Sequence, residues 1–402
     1  MLCVERGIFA TWEFSLFSNF YNRLKRSSRR TYDMNEASLF IIPYDLSLDG
    51  TVDAQCNRRH RCTEGHHAEL SDMLHSTVAF VEHNGLDHVV LWSYYQNHMI
   101  PKVCSPFLKK TCADCLITTT WRTLDGDHLP GTDHLSYASV PSPGHFHWYE
   151  GMSQPPWTPG LPRQHRATFV SLGRGGLQEE SLLEYTKLSS SPVQIVQLNR
   201  SLTAEEQAKA FAVYFDSVFC VVPIVPENNI DFSLELFVQA VVAGCIPVIT
   251  DTNFVGKQYT WHLTKTIVEA ISVVYTLCPC KDEFFAKTIM AMCPEGAVAV
   301  KQRIIAKVAP LLQYSMPPLH RLKTAYDETT WDPPFLDAVD LALDGMVERA
   351  QHLTAGRPEE ELRPSSAVGR IEKSLAAELE ELKKAMEAAE MKTHECGMWM
   401  CG

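Results

Sequence analysis

Short apolar runs alternate with helix-like segments through most of this 402-residue chain. Continuous apolar runs of this kind are typical of strands in a parallel sheet, because helices cover both faces of such a sheet. A strand, a helix and a second strand in succession predict a βαβ unit with a right-handed crossover. In the first part of the chain, strands are predicted at residues 38–43, 88–92 and 116–120, and a helix at 68–83. The alternation predicts an α/β fold.

The same alternation continues after residue 165. Strands are predicted at 167–172, 193–198, 217–223 and 246–249, and helices at 179–187, 203–215 and 234–243. This regular succession predicts a Rossmann-like domain, whose ligand binds at the carboxyl ends of the strands.

A proline-rich passage separates the two alternating parts. Six prolines fall between residues 141 and 162, where they exclude a helix or a central strand. The chain is also longer than one hydrophobic core usually supports, which is about 250–300 residues. We therefore expect an N-terminal α/β domain at 1–160, a C-terminal Rossmann-like domain at 161–345, and a tail at 346–402.

The tail is predicted to hold a charged amphipathic helix at residues 368–392. Its apolar face consists of Ile371, Leu375, Leu379, Leu382 and Met386. This face suits either a short coiled-coil dimer or packing against the body of the same chain.

Charge and composition exclude several classes of function. The chain has 36 basic and 48 acidic residues, a net charge of −12 and a pI of about 5.7. Nucleic acids and anionic membranes attract positive charge, so neither is an expected partner. One basic cluster lies near the amino end, and a solvated helix face or a contact for an acidic glycan would each explain it. Its members are Arg23, Lys25, Arg26, Arg29 and Arg30.

The sequence leaves the compartment open. It contains no apolar run of about 18 residues, so no membrane span is predicted. No apolar segment follows a basic start at Met1, so no signal peptide is visible; the protein is cytosolic or the sequence lacks its leader. Thirteen cysteines suit a lumenal protein with disulfides and a reduced protein equally.

A glycine-rich segment, Gly173-Arg-Gly-Gly176, follows one predicted strand and precedes a helix. Free backbone N–H groups at such a turn can bind phosphate, and Arg174 can add charge-assisted contacts. An ordinary tight turn is the alternative. Asp125 and Asp127 have the spacing of a metal–diphosphate clamp, but such short matches are common by chance and the glycine between them suits a turn. The cysteines and histidines at 56–67 lack zinc-ligand spacing. No metal site is predicted at either place.

Residues 214–253 carry the most specific pattern. A strand leads through a turn-rich loop to a helix, which Gly244 ends before the next strand. Ser217-Val-Phe-Cys-Val-Val-Pro223 and Ala243-Gly-Cys-Ile-Pro-Val-Ile249 resemble motifs of the exostosin family of glycosyltransferases (family 47). Residues 31–43, 84–90 and 139–143 resemble further family segments, in the family's order over about residues 10–340.

The resemblance implies a GT-B fold, in which two Rossmann-like domains face each other across a cleft. It implies an inverting transfer from a nucleotide sugar, usually a UDP-sugar, to an oligosaccharide or polysaccharide acceptor in the Golgi lumen. It implies no tightly bound cofactor and leaves the metal requirement open.

Three positions depart from the family pattern. Gln239 replaces the acid that would hold the donor's ribose, and Leu236 and Glu180 replace arginines. Glu235 shares a helix face with Gln239 and is the predicted substitute. The predicted donor-binding residues are Arg166, Gly173, Arg174, Gly175, Ser217, Pro223, Glu235, Gln239 and Gly244. A non-catalytic relative that binds glycan or a catalytic partner is the alternative.

An inverting transfer needs a base that takes the proton of the acceptor hydroxyl. That base is expected from the N-terminal domain, and Asp87 and His88 are the candidates. The alternatives are a turn residue for Asp87 and a packed strand end for His88.

Overall fold

The first sheet consists of four parallel strands in the order β1-β2-β3-β4. The computed structural model describes residues 15–45, 65–92, 107, 110–120, 136–171, 193–197, 211–222, 230–249, 252–274, 293–321, 329–356 and 364–395. The strands are β1 (Phe40–Ile42), β2 (His88–Trp92), β3 (Leu116–Thr119) and β4 (Ser136–Ser139). The first three confirm the predicted runs. The fourth, Ser-Tyr-Ala-Ser, has no continuous apolar run and was missed for that reason.

Helices α1 (Leu16–Arg26), α2 (Gly65–His75) and α3 (Val78–His83) accompany this sheet. The single helix predicted at 68–83 is wrong, because the chain breaks between α2 and α3. There the hydroxyls of Ser76 and Thr77 both donate to the carbonyl of Met73, at 2.7 and 3.0 Å. Such side-chain bonds to the backbone compete with continuation of a helix.

The second sheet consists of five parallel strands in the order β6-β5-β7-β8-β9. They are β5 (His165–Ser171), β6 (Val193–Gln197), β7 (Ser217–Val221), β8 (Ile246–Ile249) and β9 (Val273–Val274). Four of them confirm the predicted strands to within two residues at each end. The two-residue β9 was not predicted, since it is too short to show a pattern.

Four helices belong to this half: α4 (Ile230–Val242), α5 (Thr252–Gln258), α6 (Lys265–Ile271) and α7 (Glu295–Val308). Helix α4 confirms the predicted helix at 234–243. The predicted helix at 179–187 and most of the one at 203–215 lie outside the described residues, and residues 212–216 form a 3₁₀ turn. A disulfide joins Cys220 in β7 to Cys245 just before β8.

Helix α8 (Ala338–Thr354) comes late in the chain but packs on the first sheet. Asp337 begins it with a capping box: its carboxylate accepts from Val339 and Asp340, whose side chain accepts from the Asp337 N–H. Leu16 and Phe20 of α1 share a buried cluster with residues of β2, β3 and α8. The predicted boundary between the second domain and the tail, at residue 345, falls inside helix α8.

The basic cluster near the amino end joins α1 to the chain before and within α8. Arg23 is buried and lies 3.0 Å from Asp332 and 3.2 Å from Asp340, and Arg29 lies 2.8 Å from Asp344. The prediction of a solvated face is wrong for Arg23 and Arg26, because both lie on the buried side of α1.

The tail forms α9 (Ser366–Ser374) and α10 (Ala376–Glu395). Leu375 and Leu382 are buried in the main core, and the other three residues of the predicted apolar face pack against it. Glu378 and Glu381 pair with Lys307 and Arg303 of α7. The apolar face is therefore used within the chain. Whether the protein also dimerises stays a prediction.

Candidate functional site

The strand order of the second sheet defines a switch point between β5 and β7. From β5 the chain continues to β6 on one side and later to β7 on the other side. In open α/β sheets, ligands bind in the crevice outside the carboxyl ends of the two strands at such a point. Here those ends are Ser171 and Val221.

Four predicted donor-binding residues follow these two strand ends in sequence. Gly173, Arg174 and Gly175 come directly after β5, and Pro223 comes directly after β7. All four lie outside the described residues, as do Asp125, Asp127 and residues 56–64.

Glu235 and Gln239 confirm the prediction that they share one face of α4. The Gln239 Nε2 donates to Glu235 Oε1 at 2.9 Å, and both side chains are buried. Within the described part of the chain, no donor lies within hydrogen-bond distance of Gln239 Oε1. The pair therefore combines a buried carboxylate with a buried carbonyl acceptor that is unused.

Gly144 of the proline-rich passage lies directly on Gln239. A Cβ added at Gly144 would stand 2.8 Å from Gln239 Cγ and 3.1 Å from Cδ. A narrow space beside this contact is lined by Phe146, Gln239 and Tyr314, among others, and it has no room for a water molecule. It is smaller than ligand pockets, which hold roughly 300–1,000 Å³. Gln239 also lies nine residues into α4, roughly 13 Å from its first residue.

Tyr214 is a neighbour of this pair that the sequence did not single out. It is fully buried, and burial together with the charge of Glu235 raises the pKa of its phenol. No partner for its hydroxyl is found among the residues with described positions. Only its place before the β7 motif could have drawn attention to it.

Ser217, Gly244 and Arg166 lie at the other, amino edge of the second sheet. Ser217 begins β7, and its hydroxyl is bonded to Thr168 and to the carbonyl of Val213. Gly244 follows α4 with φ +72°, a value that favours glycine. The guanidinium of Arg166, the second residue of β5, lies 5.1 Å from the centre of the Phe219 ring.

Arg163 organises this amino edge, and no sequence pattern pointed to it. Its guanidinium donates to five backbone carbonyls at 2.9–3.2 Å. They belong to Pro156, Tyr214, Phe215, Ser217 and Ala243. Arg163 thus joins the proline-rich passage to β7 and to the end of α4.

Asp87 and His88 lie together at the amino end of β2. Asp87 is bonded to His83 Nδ1 and to His88 Nδ1, both at 2.7 Å. Burial alone would raise the pKa of Asp87, but the bonds from His88 and His83 hold it below its usual value. His88 stacks on Phe40 and meets the edge of Phe80. Ligands bind at the opposite edge of such sheets, so this position favours a packing role.

Two contacts bring the carboxyl end of the first sheet to the second half of the chain. Ser139, the last residue of β4, donates to Gln258 at the end of α5 at 3.0 Å. The hydroxyl of Tyr314 donates to the carbonyl of Pro141 at 2.6 Å. The side chains of Ser139, Gln258 and Tyr314 are all buried. Because these partners are more than a hundred residues apart, no local pattern could have predicted the contacts.

Two parallel α/β sheets, joined in this way, are consistent with a two-domain GT-B-like fold. The family model for the Exostosin GT47 domain matches residues 9–276, more than half of the chain. The chain belongs to this family, and it is a glycosyltransferase.

Three named relatives come from Arabidopsis thaliana. The chain is 22% identical over 364 residues to the probable xyloglucan galactosyltransferase GT17, covering 85% of this chain and 72% of the relative. It is 21% identical over 358 residues to the probable xyloglucan galactosyltransferase GT19, covering 82% and 76%. It is 24% identical over 278 residues to xyloglucan-specific galacturonosyltransferase 1, covering 65% of this chain and 39% of the relative.

Among the described residues, every helix falls short of the length or the hydropathy that crossing a bilayer requires.

Proposed function

We propose that the protein transfers a sugar from a UDP-sugar to a glycan acceptor, with inversion at the anomeric carbon. The observation that carries this proposal is the coincidence of the switch point with the family's motif. Strand β7 lies at the switch point and is itself the stretch Ser217-Val-Phe-Cys-Val, and the matching turn motif forms β8 beside it. The motif and the topology therefore indicate the same crevice.

The diphosphate of the donor is proposed to lie at the carboxyl ends of β5 and β7. In the sequence, Gly173 is two residues beyond Ser171, the last residue of β5. Backbone N–H groups of Gly173 and Gly175 would donate to the phosphates, with Arg174 adding charge-assisted bonds. The amino end of α4, after Pro223, faces the same edge and favours negative charge.

The ribose of the donor is proposed to bind the Glu235–Gln239 pair. The carboxylate of Glu235 would take the part of the acid that Gln239 replaces. The bond from Gln239 Nε2 fixes one oxygen of Glu235, and a carboxylate can accept a hydrogen bond from a sugar hydroxyl. Access requires a small movement of the passage at Gly144, which now covers Gln239.

The proton acceptor is proposed to come from the side of the first sheet, as the resemblance implies. Asp87 and His88 stay hypotheses for this role. If Asp87 is the base, Asp87→Asn abolishes turnover in a folded enzyme. If Asp87 instead has only a structural role at the start of β2, Asp87→Asn lowers the free energy of unfolding, and the protein that remains folded keeps its kcat.

The acceptor is proposed to be a plant-type cell-wall glycan of the xyloglucan class, since the named relatives act on it. Galactose and galacturonic acid are accordingly the first sugars to test. A Golgi or other secretory-pathway setting is proposed with it. The disulfide between Cys220 and Cys245 supports that setting, because disulfides persist in oxidising compartments.

The deciding experiment is a thermal-shift screen followed by a transfer assay. The purified chain is heated with UDP, GDP, UDP-galactose and UDP-galacturonic acid. A ligand at ten times its Kd adds about 1.4 kcal/mol, which raises Tm by roughly 2–4 °C. The UDP-sugar that shifts Tm is then incubated with xyloglucan, and the anomeric configuration of the new linkage is read by NMR.

Arg174→Ala is the test variant in both assays, and Arg370→Ala is its matched control. Arg370 is an exposed arginine of the tail helix α9, away from both sheets' carboxyl ends. We expect Arg174→Ala to lose the shift and the transfer, and Arg370→Ala to keep both. Absence of any nucleotide shift in cooperatively folded protein would favour a non-catalytic family member.

A further inference from the structure

A second chemically reactive group lies in the first half of the chain, apart from the site above. Residues 112–115 read Cys-Ala-Asp-Cys and form a tight turn directly before β3. The Cys112 N–H donates to the carbonyl of Phe107 at 3.1 Å, and the Cys115 N–H donates to the carbonyl of Cys112 at 3.2 Å. A four-residue turn of this kind holds its first and last Cα atoms within about 7 Å.

The two sulfur atoms of this turn meet. Both side chains are fully buried. The Cys115 thiol is hydrogen-bonded to the Cys112 thiol, and this contact, followed by burial, raises the pKa of Cys115. A disulfide requires Cα atoms about 4.4–6.8 Å apart and sulfurs that face each other. The turn brings the two Cα atoms near this range, and the contact between the thiols brings the sulfurs together, while both cysteines are free thiols in this structure.

Neighbouring elements hold the turn from two sides. Asn84, in the turn between α3 and β2, donates through its side chain to Asp114. A Cβ added at Gly85 would stand 3.1 Å from the Cys115 sulfur. The charge of Arg349 from α8 also acts on Cys115. Little rearrangement is available that would separate the two thiols once the chain has folded.

We propose that Cys112 and Cys115 form a disulfide within this turn when the protein folds in an oxidising compartment. The oxidant is a small or protein disulfide, such as glutathione disulfide. One cysteine thiolate attacks the oxidant and releases a first thiolate. The second cysteine then attacks the mixed disulfide and releases the second. Two protons leave the cysteines, and the two electrons reduce one oxidant disulfide to two thiols.

The bond forms before the turn is buried, because thiol exchange needs an accessible thiolate. After folding, the same burial protects it from reductants in solution. The disulfide would hold the turn that precedes β3 in one conformation. Asn84 of the α3–β2 turn and Arg349 of α8 both interact with this turn. The proposal is independent of the sugar donor and of the proposed function.

Trypsin separates these cysteines from all others. Cleavage after Lys110 and Arg122 gives one peptide, residues 111–122, that contains Cys112 and Cys115 alone. Cys104 falls in the separate peptide 103–109, and Cys220 and Cys245 share the peptide 210–257. Full-length protein secreted from eukaryotic cells is unfolded in denaturant with N-ethylmaleimide, digested without reduction and weighed by mass spectrometry. Peptide 210–257, which contains the Cys220–Cys245 disulfide, is the internal control: its oxidised state shows that the sample folded in an oxidising compartment.

We expect peptide 111–122 to be unlabelled and lighter by two hydrogen atoms than its reduced form. After reduction it should take up two N-ethylmaleimide groups. Two labels before reduction would overturn the proposal, and so would a cross-link between this peptide and one that contains another cysteine.

Discussion

Gly345 of α8 lies against the indole ring of Trp261, which follows α5. A Cβ added at Gly345 would stand 2.5 Å from Cγ and 2.6 Å from Cε2 of the indole. Trp261 is buried, and its carbonyl accepts from the hydroxyl of Ser365 at 3.2 Å. Trp261 belongs to the same buried cluster as Leu343 and Met346 of α8. This contact sets how closely α8 approaches the second half of the chain.

Gly345→Ala should therefore destabilise the protein, although alanine favours a helix. Overpacking of this kind costs about 1–3 kcal/mol. Urea unfolding followed by tryptophan fluorescence measures the change. Gly369→Ala in α9 is the matched control, because nothing lies within 4 Å of its added Cβ. There the helix propensity of alanine should add about 0.5–1 kcal/mol. A neutral Gly345→Ala would mean that Trp261 moves freely.

Arg163→Ala should be among the most damaging changes in the second half. It removes a half-buried guanidinium that serves five carbonyls, two of them from Pro156 and Ala243. Hydrogen bonds to a charged group contribute roughly 1.5–3 kcal/mol each, so we expect a loss of at least about 3 kcal/mol. Arg163→Lys should rescue only part of it, since one ammonium cannot span the same carbonyls. Arg370→Ala, at an exposed position, should stay within about 0.5 kcal/mol of the wild type.

His262 should make stability depend on pH in mildly acidic solution. Burial lowers the pKa of His262 to about 4, while its bond to the carbonyl of Ala338 opposes that change. Its Nδ1 has no partner among the described residues. Below the ordinary histidine pKa of 6.5, the unfolded chain binds a proton that the folded chain does not. The free energy of unfolding should fall by roughly 3 kcal/mol between pH 6.5 and 4 from this residue.

Urea unfolding at a series of pH values measures this slope. His262→Gln keeps a donor for Ala338 and should make the slope shallower, while His147, whose pKa burial also lowers to about 4, keeps its own contribution. His320→Gln, at an exposed histidine, should leave it unchanged. An unchanged slope in His262→Gln would show that His262 is not the group responsible.

Glu235→Gln should lower kcat/KM by roughly 10- to 100-fold, the loss of one charge-assisted hydrogen bond of about 1.5–3 kcal/mol. Gln239→Glu should also impair the enzyme, because it places a second buried carboxylate beside Glu235 and removes the Nε2 donor. Both changes are measured by steady-state kinetics with the UDP-sugar that the thermal-shift screen identifies. Glu380→Gln, on the exposed side of α10, is the control. A tighter donor complex in Gln239→Glu would contradict the role given to Glu235.

Strands and motif order were predictable because both are local. The apolar runs of β2 and β8 fix those strands without any tertiary information. The i,i+4 spacing likewise predicted that Glu235 and Gln239 share a helix face, and the structure adds the hydrogen bond between them. Helix α4 and strands β5 and β7 followed from the same kind of pattern, with ends that differ from the predicted ones by up to four residues.

Long-range contacts were not predictable from one sequence. Nothing near Arg23 indicates that its partners are Asp332 and Asp340, some three hundred residues later. The same cluster therefore resembled a solvated face. The sequence already places Asp87 and His88 at the amino end of a predicted strand. The parallel direction of the whole sheet puts that end at the edge opposite the carboxyl ends of the strands, and no local pattern shows this.

The shared cluster of α1, the first sheet and α8 has a consequence for biosynthesis. A ribosome completes β4 about 200 residues before it reaches α8, which at ordinary rates of synthesis takes about 10–40 s. During that interval the newborn sheet must display Leu16, Phe20, Val89 and Leu91 to solvent. The amino-terminal half is thus a client for chaperones until translation ends, and premature termination before residue 338 would leave it permanently so.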